Sequence, residues 1–352
     1  MRRLLHPLYR RLETIAHPLR YLFLEITQRC NLSCRHCGSD CGRDPRLPEL
    51  TTDQWLAFLA YLGAGGVSKK TVLVLTGGEP LCHPELDRIL RGLGQGRLSF
   101  GMVTNGVGLT GEVAKRLGGA GISSLTVSLD GLAPSHDWLR GRPGVFAQAT
   151  RGIQLMTAAR LPFLDVVTCV HPGNLAELPA LGRLLVDLGV LRWRLFSIFG
   201  KGRAREHPEL LLSARDFRQM LGFVARCRKE RLLPLQVSYS CEGFLPEALD
   251  AAVRDEPYFC RAGISIGSVL SDGSISACPN LSRGFVQGHI LRDDFLTVWE
   301  ERFGPFRDRG WMRTGRCVAC AHFARCQGNS LHLWDDKAAA PAICSLAMAL
   351  EE

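Results

Sequence analysis

The chain has 352 residues, of which 46% are hydrophobic and 22% charged, an ordinary globular composition that allows one large domain and a smaller one. No apolar run reaches the roughly 18 residues of a membrane span, and the basic start, residues 1–11, lacks the apolar stretch of a secretory signal. We therefore expect a cytoplasmic protein without a membrane span.

The net charge of +9 suits binding to a nucleic acid, a membrane surface or an acidic peptide. Because no nucleic-acid-binding signature accompanies it, we expect no nucleic acid partner, and a solvated Arg-rich surface is the simplest explanation.

Strand-like and helix-like segments alternate from Tyr21 onward. Six strand–helix units predict an α/β fold with a parallel sheet and helices outside it. Six units fall short of the eight of a closed barrel, so we predict a partial (β/α)6 barrel of the TIM type. Thr51 or Thr52 is the expected N-cap of the first helix in these units. The predicted strands are 21–27, 71–76, 98–104, 123–129, 163–170 and 192–199, and the predicted helices are 51–62, 84–93, 111–117, 145–159, 175–188 and 214–229.

The regular alternation fades after about Arg231, where Gly, Pro and Cys become dense. This change of composition predicts a second, small domain rich in cysteine. We divide the chain into a basic N-terminal segment (1–20), the barrel (21–230), a bridging region (231–257) and the cysteine-rich domain (258–352).

Fourteen cysteines in a chain without a secretion signal indicate metal ligands more than disulfides. Most fall into an early group and a late group. The scattered Cys82, Cys169 and Cys227 are interpreted as small buried apolar residues.

The early group is Cys30, Cys34, Cys37 and Cys41, and its first three members have the spacing Cys30-x3-Cys34-x2-Cys37 directly after the first predicted strand. Three thiolates can bind three irons of a [4Fe–4S] cluster and leave the fourth iron open, and an open coordination position is what a catalytic metal centre needs. A zinc site is the alternative, and it would take a fourth ligand from His36 or Cys41.

The tetrapeptide Gly77-Gly78-Glu79-Pro80 follows the second predicted strand. Its glycines allow the backbone to approach a ligand closely, and Glu79 can accept hydrogen bonds from an ammonium group. Taken alone, it could equally be a turn with an exposed acid. Three more candidate ligand-binding residues stand at or soon after the ends of later strands. Turn capping or a surface charge would also explain these residues, which are Asn105, Ser128 and Arg140.

These motifs together resemble the radical S-adenosylmethionine (radical SAM) superfamily. The resemblance implies that the open iron is chelated by the amino and carboxylate groups of S-adenosylmethionine (SAM). Electron transfer then breaks the S–C5′ bond, and a 5′-deoxyadenosyl radical abstracts a substrate hydrogen. It also implies that residues 77–80 bind the methionine amino group, that Asn105 and Ser128 lie around the ribose and methionine moieties, and that Arg140 pairs with the carboxylate. His36 is a mild departure, because that position is often aromatic in the family.

The late cysteines resemble the SPASM domain, an extension of many peptide- and protein-modifying radical enzymes that holds two auxiliary [4Fe–4S] clusters. The resemblance assigns the outer cluster a complete set of four ligands, with zinc as the alternative. The inner cluster would take the two upstream cysteines, with Cys241 as the nearest spare thiol. The expected outer ligands are Cys317, Cys320, Cys326 and Cys344, and the expected inner ligands are Cys260 and Cys278.

One inner-cluster position departs from that domain, because Ser330 stands where a cysteine is expected. The inner cluster could therefore have three Cys ligands and an open iron, could recruit Ser330, or could be absent. Pro279 and Asn280 follow Cys278, where sulfatase-maturing relatives carry an Asp general base. This difference argues against formylglycine formation, and no residue is assigned as the catalytic base.

The resemblance favours a maturase that modifies a peptide or small protein by hydrogen abstraction, with flavodoxin or ferredoxin as electron donor. A lipoprotein-like protein is one candidate partner. A second hypothesis is an enzyme acting on a small molecule, such as a tetrapyrrole side chain or a sugar-like alcohol. A third is a non-catalytic iron–sulfur or zinc protein, against which the intact triplet and residues 77–80 argue.

Overall fold

A ten-stranded sheet lies at the centre of the computed structural model, which describes residues 5–41, 48–240, 243–334 and 341–351. Its spatial order is β10-β9-β8-β1-β2-β3-β4-β5-β6-β7, and neighbouring strands from β8 through β1 to β7 run parallel. The strands are β1 Tyr21–Thr27, β2 Val72–Gly77, β3 Ser99–Thr104, β4 Ser124–Ser128, β5 Leu164–Val170, β6 Arg192–Ser197, β7 Gln236–Tyr239, β8 Ile266–Val269, β9 Ser274–Ser276 and β10 Gly288–His289.

Helices cover the outer face of the sheet and fill the C-terminal part of the chain. Leu22 and Leu24 of β1 are fully buried and belong to the same core cluster as Trp55 and Ile89 of the first covering helices. The helices are α1 His6–Ala16, α2 Thr52–Tyr61, α3 Leu86–Gln95, α4 Gly111–Gly119, α5 Ala133–Arg140, α6 Val145–Ala158, α7 Leu178–Asp187, α8 Ala214–Glu230, α9 Glu247–Val253, α10 Phe295–Glu301, α11 Gly304–Arg307, α12 Phe323–Cys326 and α13 Ser345–Leu350.

The six predicted strands and the partial barrel are confirmed. Each predicted strand appears as β1 to β6 within two residues of its expected bounds. Thr51 is the N-cap of α2, where its hydroxyl accepts from the Gln54 N–H at 3.2 Å and its own N–H donates to the Gln54 side chain at 2.8 Å. Because consecutive strands pair in parallel, their carboxyl ends meet at one edge of the sheet. All the predicted SAM-binding residues lie at these strand ends or soon after them.

The sheet extends beyond the predicted barrel in both directions. In the bridging region β7 pairs in parallel with β6. From the predicted second domain, β8 pairs in parallel with β1 over Tyr21↔Ile266 to Leu24↔Val269. The domain boundaries near residues 230 and 258 therefore remain a prediction from composition. The sheet itself continues across both of them. No helix of the described residues is long and apolar enough to cross a membrane.

Candidate active site

The loop after β1, residues 28–41, carries the first three candidate ligands and is called the cysteine loop. A tight turn, in which the Cys37 N–H donates to the Cys34 carbonyl at 3.3 Å, brings two of them together. Cys34 is buried in a small apolar cluster with Leu32 and Val145, against which Cys30 and Cys37 also pack. The loop thus gathers the three thiols in a partly desolvated place at the carboxyl edge of the sheet.

A fourth thiol, Cys41, lies beside two members of the triplet. Its sulfur is 3.6 Å from that of Cys37. The hydrogen bond from Cys41 is the main reason why the pKa of Cys30 falls to about 7 and that of Cys37 to about 6, while the pKa of Cys41 rises in return. Burial raises the pKa of Cys34. Two of the three thiols are therefore readily ionised, and the thiolate is the form that binds metal.

The spacing of these thiols bears on the zinc alternative. Sulfurs around one tetrahedral zinc, with bonds of about 2.3 Å, lie about 3.8 Å apart. Among the described residues, no three of the four thiols in the cysteine loop have sulfurs that all lie within 4.8 Å of one another. The other proposed zinc ligand, His36, has its Nε2 3.9 Å from an Asp130 oxygen. Cys37 and Cys41 are therefore close enough to share one ion, but no third thiol of this fully described loop joins them at that spacing.

Arg203 holds the cysteine loop in place. This buried side chain donates from Nε to the Cys34 carbonyl at 2.8 Å and from Nη1 to the Cys41 carbonyl at 3.1 Å, and it pairs with Asp40 at 3.2 Å. The preceding Gly202 has φ +55°, and a Cβ there would lie 2.2 Å from the Cys37 carbonyl oxygen. Glycine is required here because the two backbones touch.

We expect Arg203→Met to weaken retention of iron by the cysteine loop, because two charge-assisted bonds to backbone carbonyls are lost, each worth roughly 1.5–3 kcal/mol. Iron analysis after gel filtration, in a variant that also lacks the late cysteines, measures this effect. Arg205→Met, at an exposed position two residues away, is the matched control and should retain iron like the parent. Equal iron loss in both variants would contradict a specific clamp.

Residues 77–80 lie directly against the cysteine loop. The Gly78 and Glu79 N–H groups donate to the Thr27 and Arg29 carbonyls, each at 2.8 Å. Gly77 has φ +137°, and a Cβ on it would lie 2.2 Å from the Thr27 oxygen, so only glycine fits. The two motifs, separate in sequence, thus lie against each other, and Pro80 is buried.

Glu79 is buried and is not the exposed acid of the alternative interpretation. Its carboxylate accepts from the Thr104 hydroxyl at 2.8 Å, the Asn105 N–H at 2.7 Å and the Leu81 N–H at 3.1 Å. Burial raises its pKa despite these bonds. A bound ammonium group would supply the positive charge that such a carboxylate needs, so the site fits the amino group of SAM.

Asn105 connects the two motifs, whereas Ser128 simply ends a neighbouring strand. The Asn105 amide nitrogen donates to Asn31 at 2.7 Å and approaches the Cys30 sulfur at 4.0 Å. Ser128 is half-buried at the end of β4. Both lie at the same edge as Glu79, and contact of either residue with SAM stays a prediction.

Arg140 is engaged within the protein. Its guanidinium donates from Nε to Asp130 at 2.7 Å, pairs with the same oxygen from Nη2 at 2.6 Å, and lies 3.7 Å from the Cys34 sulfur. Burial opposes ionisation of Asp130, but Arg140, the neighbouring histidines and the Cys169 N–H together outweigh it and hold the pKa of Asp130 below its usual range. Arg140 therefore joins the cysteine loop to the barrel wall, and its pairing with a SAM carboxylate stays a prediction.

Asp130 belongs to a buried polar group that sequence reasoning missed. One ligand atom each of His36, Asp130 and Cys169 lies within 4.8 Å of the others, so Cys169 is not merely a buried apolar residue. Burial lowers the pKa of His36 to about 3 and keeps it neutral. The nearby Arg140 guanidinium already compensates Asp130, which leaves little reason for a cation to bind there.

Glu25 was also missed, although it lies on the strand that precedes the cysteine loop. Since Leu22, Leu24 and Ile26 face the core, alternation places Glu25 on the opposite, barrel-inside face of β1. Burial raises its pKa to about 7, while the Ser271 N–H donates to it. A carboxyl group of this kind can exchange a proton near neutral pH. The only sign of it in the sequence is an acidic residue within an otherwise apolar strand.

A wall of the site comes from the C-terminal part of the chain. The ring of His332 lies 4.7 Å from that of Phe199, and a Cβ on Gly38 of the cysteine loop would be 3.6 Å from Phe199. The Nε2 atom of His332 has no hydrogen-bond partner among the described residues. Burial and the nearby Lys201 charge lower the pKa of His332 to about 3, so its imidazole is neutral.

The four expected outer ligands lie within electrostatic range of one another. Burial, and then the charges of Cys344 and Cys320, raise the pKa of Cys317, and burial with the charges of those three groups raises the pKa of Cys326 to about 12. The Asn329 N–H donates to the Cys326 sulfur at 3.2 Å. A cation shared by these thiols would relieve the repulsion, so they suit a metal cluster.

The inner position is organised around Cys260. Burial opposes its ionisation, but Arg309 and the N–H groups of Leu331 and Ala262 lower the pKa of Cys260 below its usual value. Ser330 is buried, with its hydroxyl 3.2 Å from that of Tyr258. Cys278 follows β9, and Cys241 lies outside the described residues. An inner cluster therefore stays a prediction.

Iron analysis of the variant Cys30→Ala/Cys34→Ala/Cys37→Ala separates the possibilities for the late cysteines. It should stay brown and bind about four irons if only the outer cluster forms, or about eight if the inner cluster forms too. We expect eight, because the Cys260 thiol is already poised for ionisation. A colourless variant with one zinc per chain would contradict both.

Comparison with known proteins agrees with this geometry. The family model described as Radical SAM superfamily matches residues 24–185. The AdoMet-dependent heme synthase of Methanosarcina barkeri is 31% identical over 88% of this chain and 90% of its own length. A PqqA peptide cyclase of Methylocella silvestris is 27% identical over 92% and 87%. The crystal structure of Streptococcus suis SuiB bound to precursor peptide SuiA has the same fold, with a TM-score of 0.73, 16% identity, and coverage of 96% of this chain and 78% of SuiB.

The first of these relatives extends over nearly the whole chain at an identity that establishes common descent. The family uses a [4Fe–4S] cluster and SAM, which agrees with the cofactors expected from residues 30–37 and 77–80. The sequence motifs, the barrel and the relatives thus lead to one conclusion: the chain belongs to the radical SAM superfamily.

Proposed function

We propose that this radical SAM enzyme acts on a tetrapyrrole, an iron porphyrin with carboxylate side chains. The observation that carries the proposal is the wall formed by Phe199 and His332 beside the cysteine loop. Its aromatic face suits a flat macrocycle. The neutral imidazole of His332, whose buried Nε2 atom has no hydrogen-bond partner among the described residues, suits the central iron. The buried Lys201 beside it suits an anionic side chain. Relatives named AdoMet-dependent heme synthase, Fe-coproporphyrin III synthase and Pre-heme d1 synthase support this choice.

In this proposal each part of the site has a distinct task. Cys30, Cys34 and Cys37 hold the [4Fe–4S] cluster, and Glu79 binds the SAM ammonium group. When bound, the cluster and SAM supply a 5′-deoxyadenosyl radical that abstracts a hydrogen atom. Arg203 keeps the thiols in position, and His332 orients the macrocycle beside the cysteine loop.

We further propose that residues 258–352 form a SPASM domain with at least the outer auxiliary cluster. Flavodoxin or ferredoxin is the proposed electron donor. Because iron–sulfur clusters and free thiols persist in a reducing compartment, the proposal places the enzyme in the cytoplasm.

A peptide or small protein substrate is the second candidate. Relatives named PqqA peptide cyclase and Sporulation killing factor maturation protein SkfB favour it. A lipoprotein-like partner belongs to this second candidate. Among the relatives, the heme synthase is the more similar of the two kinds, so we place the tetrapyrrole first.

A binding and turnover experiment tests the proposal. Anaerobically reconstituted enzyme is titrated with iron coproporphyrin III, and the Soret band is followed. The same mixture with SAM and reductant is analysed for 5′-deoxyadenosine and for a change in porphyrin mass. We expect binding, a mass change and substrate-stimulated 5′-deoxyadenosine. We also expect His332→Leu to weaken binding and alter the Soret band, while His289→Leu, a control outside this wall, does neither.

Two outcomes would contradict the proposal. One is the absence of porphyrin binding by an enzyme that still cleaves SAM. The other is a mass change in a peptide encoded by a neighbouring small reading frame without any change in the porphyrin, which would favour the second candidate.

A further inference from the structure

Helix α1 is oriented with its apolar side outward. The relative exposures of Leu5, Leu8, Leu12 and Ile15 are 56%, 56%, 57% and 64%, whereas Glu13 is only 5% exposed. The spacing of three, four and three residues places the four aliphatic side chains in one row along the helix. We call this row the α1 stripe. Globular proteins usually bury such a row, so its exposure needs an explanation.

The polar side of α1 attaches the helix to the protein. Glu13 pairs with Arg20 at 2.7 Å. The Arg10 guanidinium lies over the Phe259 ring, 5.1 Å from its centroid, and donates to the Arg325 carbonyl. His6 contacts the same ring edge-on at 6.4 Å. Specific polar contacts fix this orientation. The helix would lose these contacts if it turned its leucines inward.

The segment that carries the α1 stripe has a positive net charge. Residues 1–16 contain four arginines and one acid, Glu13, which is buried and ion-paired. Since Arg10 is turned onto Phe259, the charge that the described part of α1 presents outward comes from the exposed Arg11. The arginines of this segment are Arg2, Arg3, Arg10 and Arg11, the first two lying outside the described residues.

We infer that α1 is an interfacial helix that lays the α1 stripe into an anionic lipid surface. An apolar row of aliphatic residues flanked by arginine is the pattern of helices that lie in the plane of a membrane. A second copy of the chain fits less well, because it would bring the same positive charge against itself. An 11-residue helix, about 16 Å long, also offers far less than the roughly 800 Å² per partner of a stable interface. The inference does not depend on the proposed substrate.

Vesicle sedimentation with the reconstituted full chain tests this inference. We expect the parent to sediment with vesicles of equimolar phosphatidylglycerol and phosphatidylcholine, to do so less at high salt, and to bind poorly to phosphatidylcholine alone. Leu8→Asp/Leu12→Asp should lower the partition coefficient at least about tenfold. Because both leucines are more than half exposed, circular dichroism and iron content should stay unchanged.

The matched control is Leu191→Asp/Leu232→Asp, which alters two exposed leucines outside α1 and adds the same charge. It should bind vesicles like the parent. Equal loss in both double variants would show a general charge effect and overturn the inference. So would failure of the parent to bind anionic vesicles, or a dimer in sedimentation velocity that only Leu8→Asp/Leu12→Asp dissociates, which would assign the stripe to a second copy.

Discussion

The variant Cys30→Ala/Cys34→Ala/Cys37→Ala is expected to produce no 5′-deoxyadenosine above the level of a protein-free control. The three thiols are the proposed ligands of the cluster that must reduce SAM, and without them the iron has no protein attachment in the barrel. Chromatography of products from the reduced, reconstituted enzyme measures the effect, even without substrate, since slow uncoupled cleavage of SAM is expected.

The control for this prediction is Cys227→Ala, which removes a buried thiol from α8 and leaves the cysteine loop intact. It should retain SAM cleavage. Undiminished 5′-deoxyadenosine from the triple variant would remove the cysteine loop from the mechanism, because the late cysteines would then have to carry the reaction.

The variant Glu79→Gln is expected to bind SAM about ten- to a hundredfold more weakly, because a charge-assisted hydrogen bond to a buried ammonium contributes roughly 1.5–3 kcal/mol. The amide keeps the size of the side chain, so iron content should not change. Equilibrium binding of SAM to the oxidised, cluster-loaded enzyme gives the affinity without turnover.

Glu85→Gln is the matched control for Glu79→Gln. Glu85 stands six residues further on and pairs with Arg88 at 2.7 Å on the exposed side of α3. Its substitution removes the same charge and should leave SAM affinity unchanged. If both variants bind SAM like the parent, Glu79 serves only to fix the loop after β3 through Thr104 and Asn105.

The strands of the barrel could be predicted because their signal is local. Segments such as residues 71–76 are short, β-favouring and apolar, and a turn or helix cap follows each one. The candidate cluster ligands Cys30, Cys34 and Cys37 follow the first strand, and few functions other than binding such a cluster require their spacing. Both signals lie within a few neighbouring residues, which is why β1 to β6 and the cysteine loop could be located from the sequence.

The parts that could not be predicted depend on residues distant in sequence. Helix α5 has only eight residues and contains Pro134 in its first turn, so its pattern is too short to distinguish from a loop. Asp130 gave no sign of being the partner of Arg140 until the fold placed them 2.7 Å apart. The role of His332 depends on contact with Phe199, which is 133 residues earlier in the chain.

The pairing of β8 with β1 has a consequence for the order of assembly during translation. The cysteine loop leaves the ribosome early, but its strand stays at a sheet edge until residues 266–269 arrive. A long sequence separation of this kind slows pairing, and an unpaired edge is open to other strands. In a nascent chain that ends before about residue 270, the thiols therefore follow a strand that still lacks one of its two neighbours in the sheet. We therefore expect stable insertion of iron to follow the synthesis of β8, and we expect C-terminal truncation to damage the first metal site as well as the last.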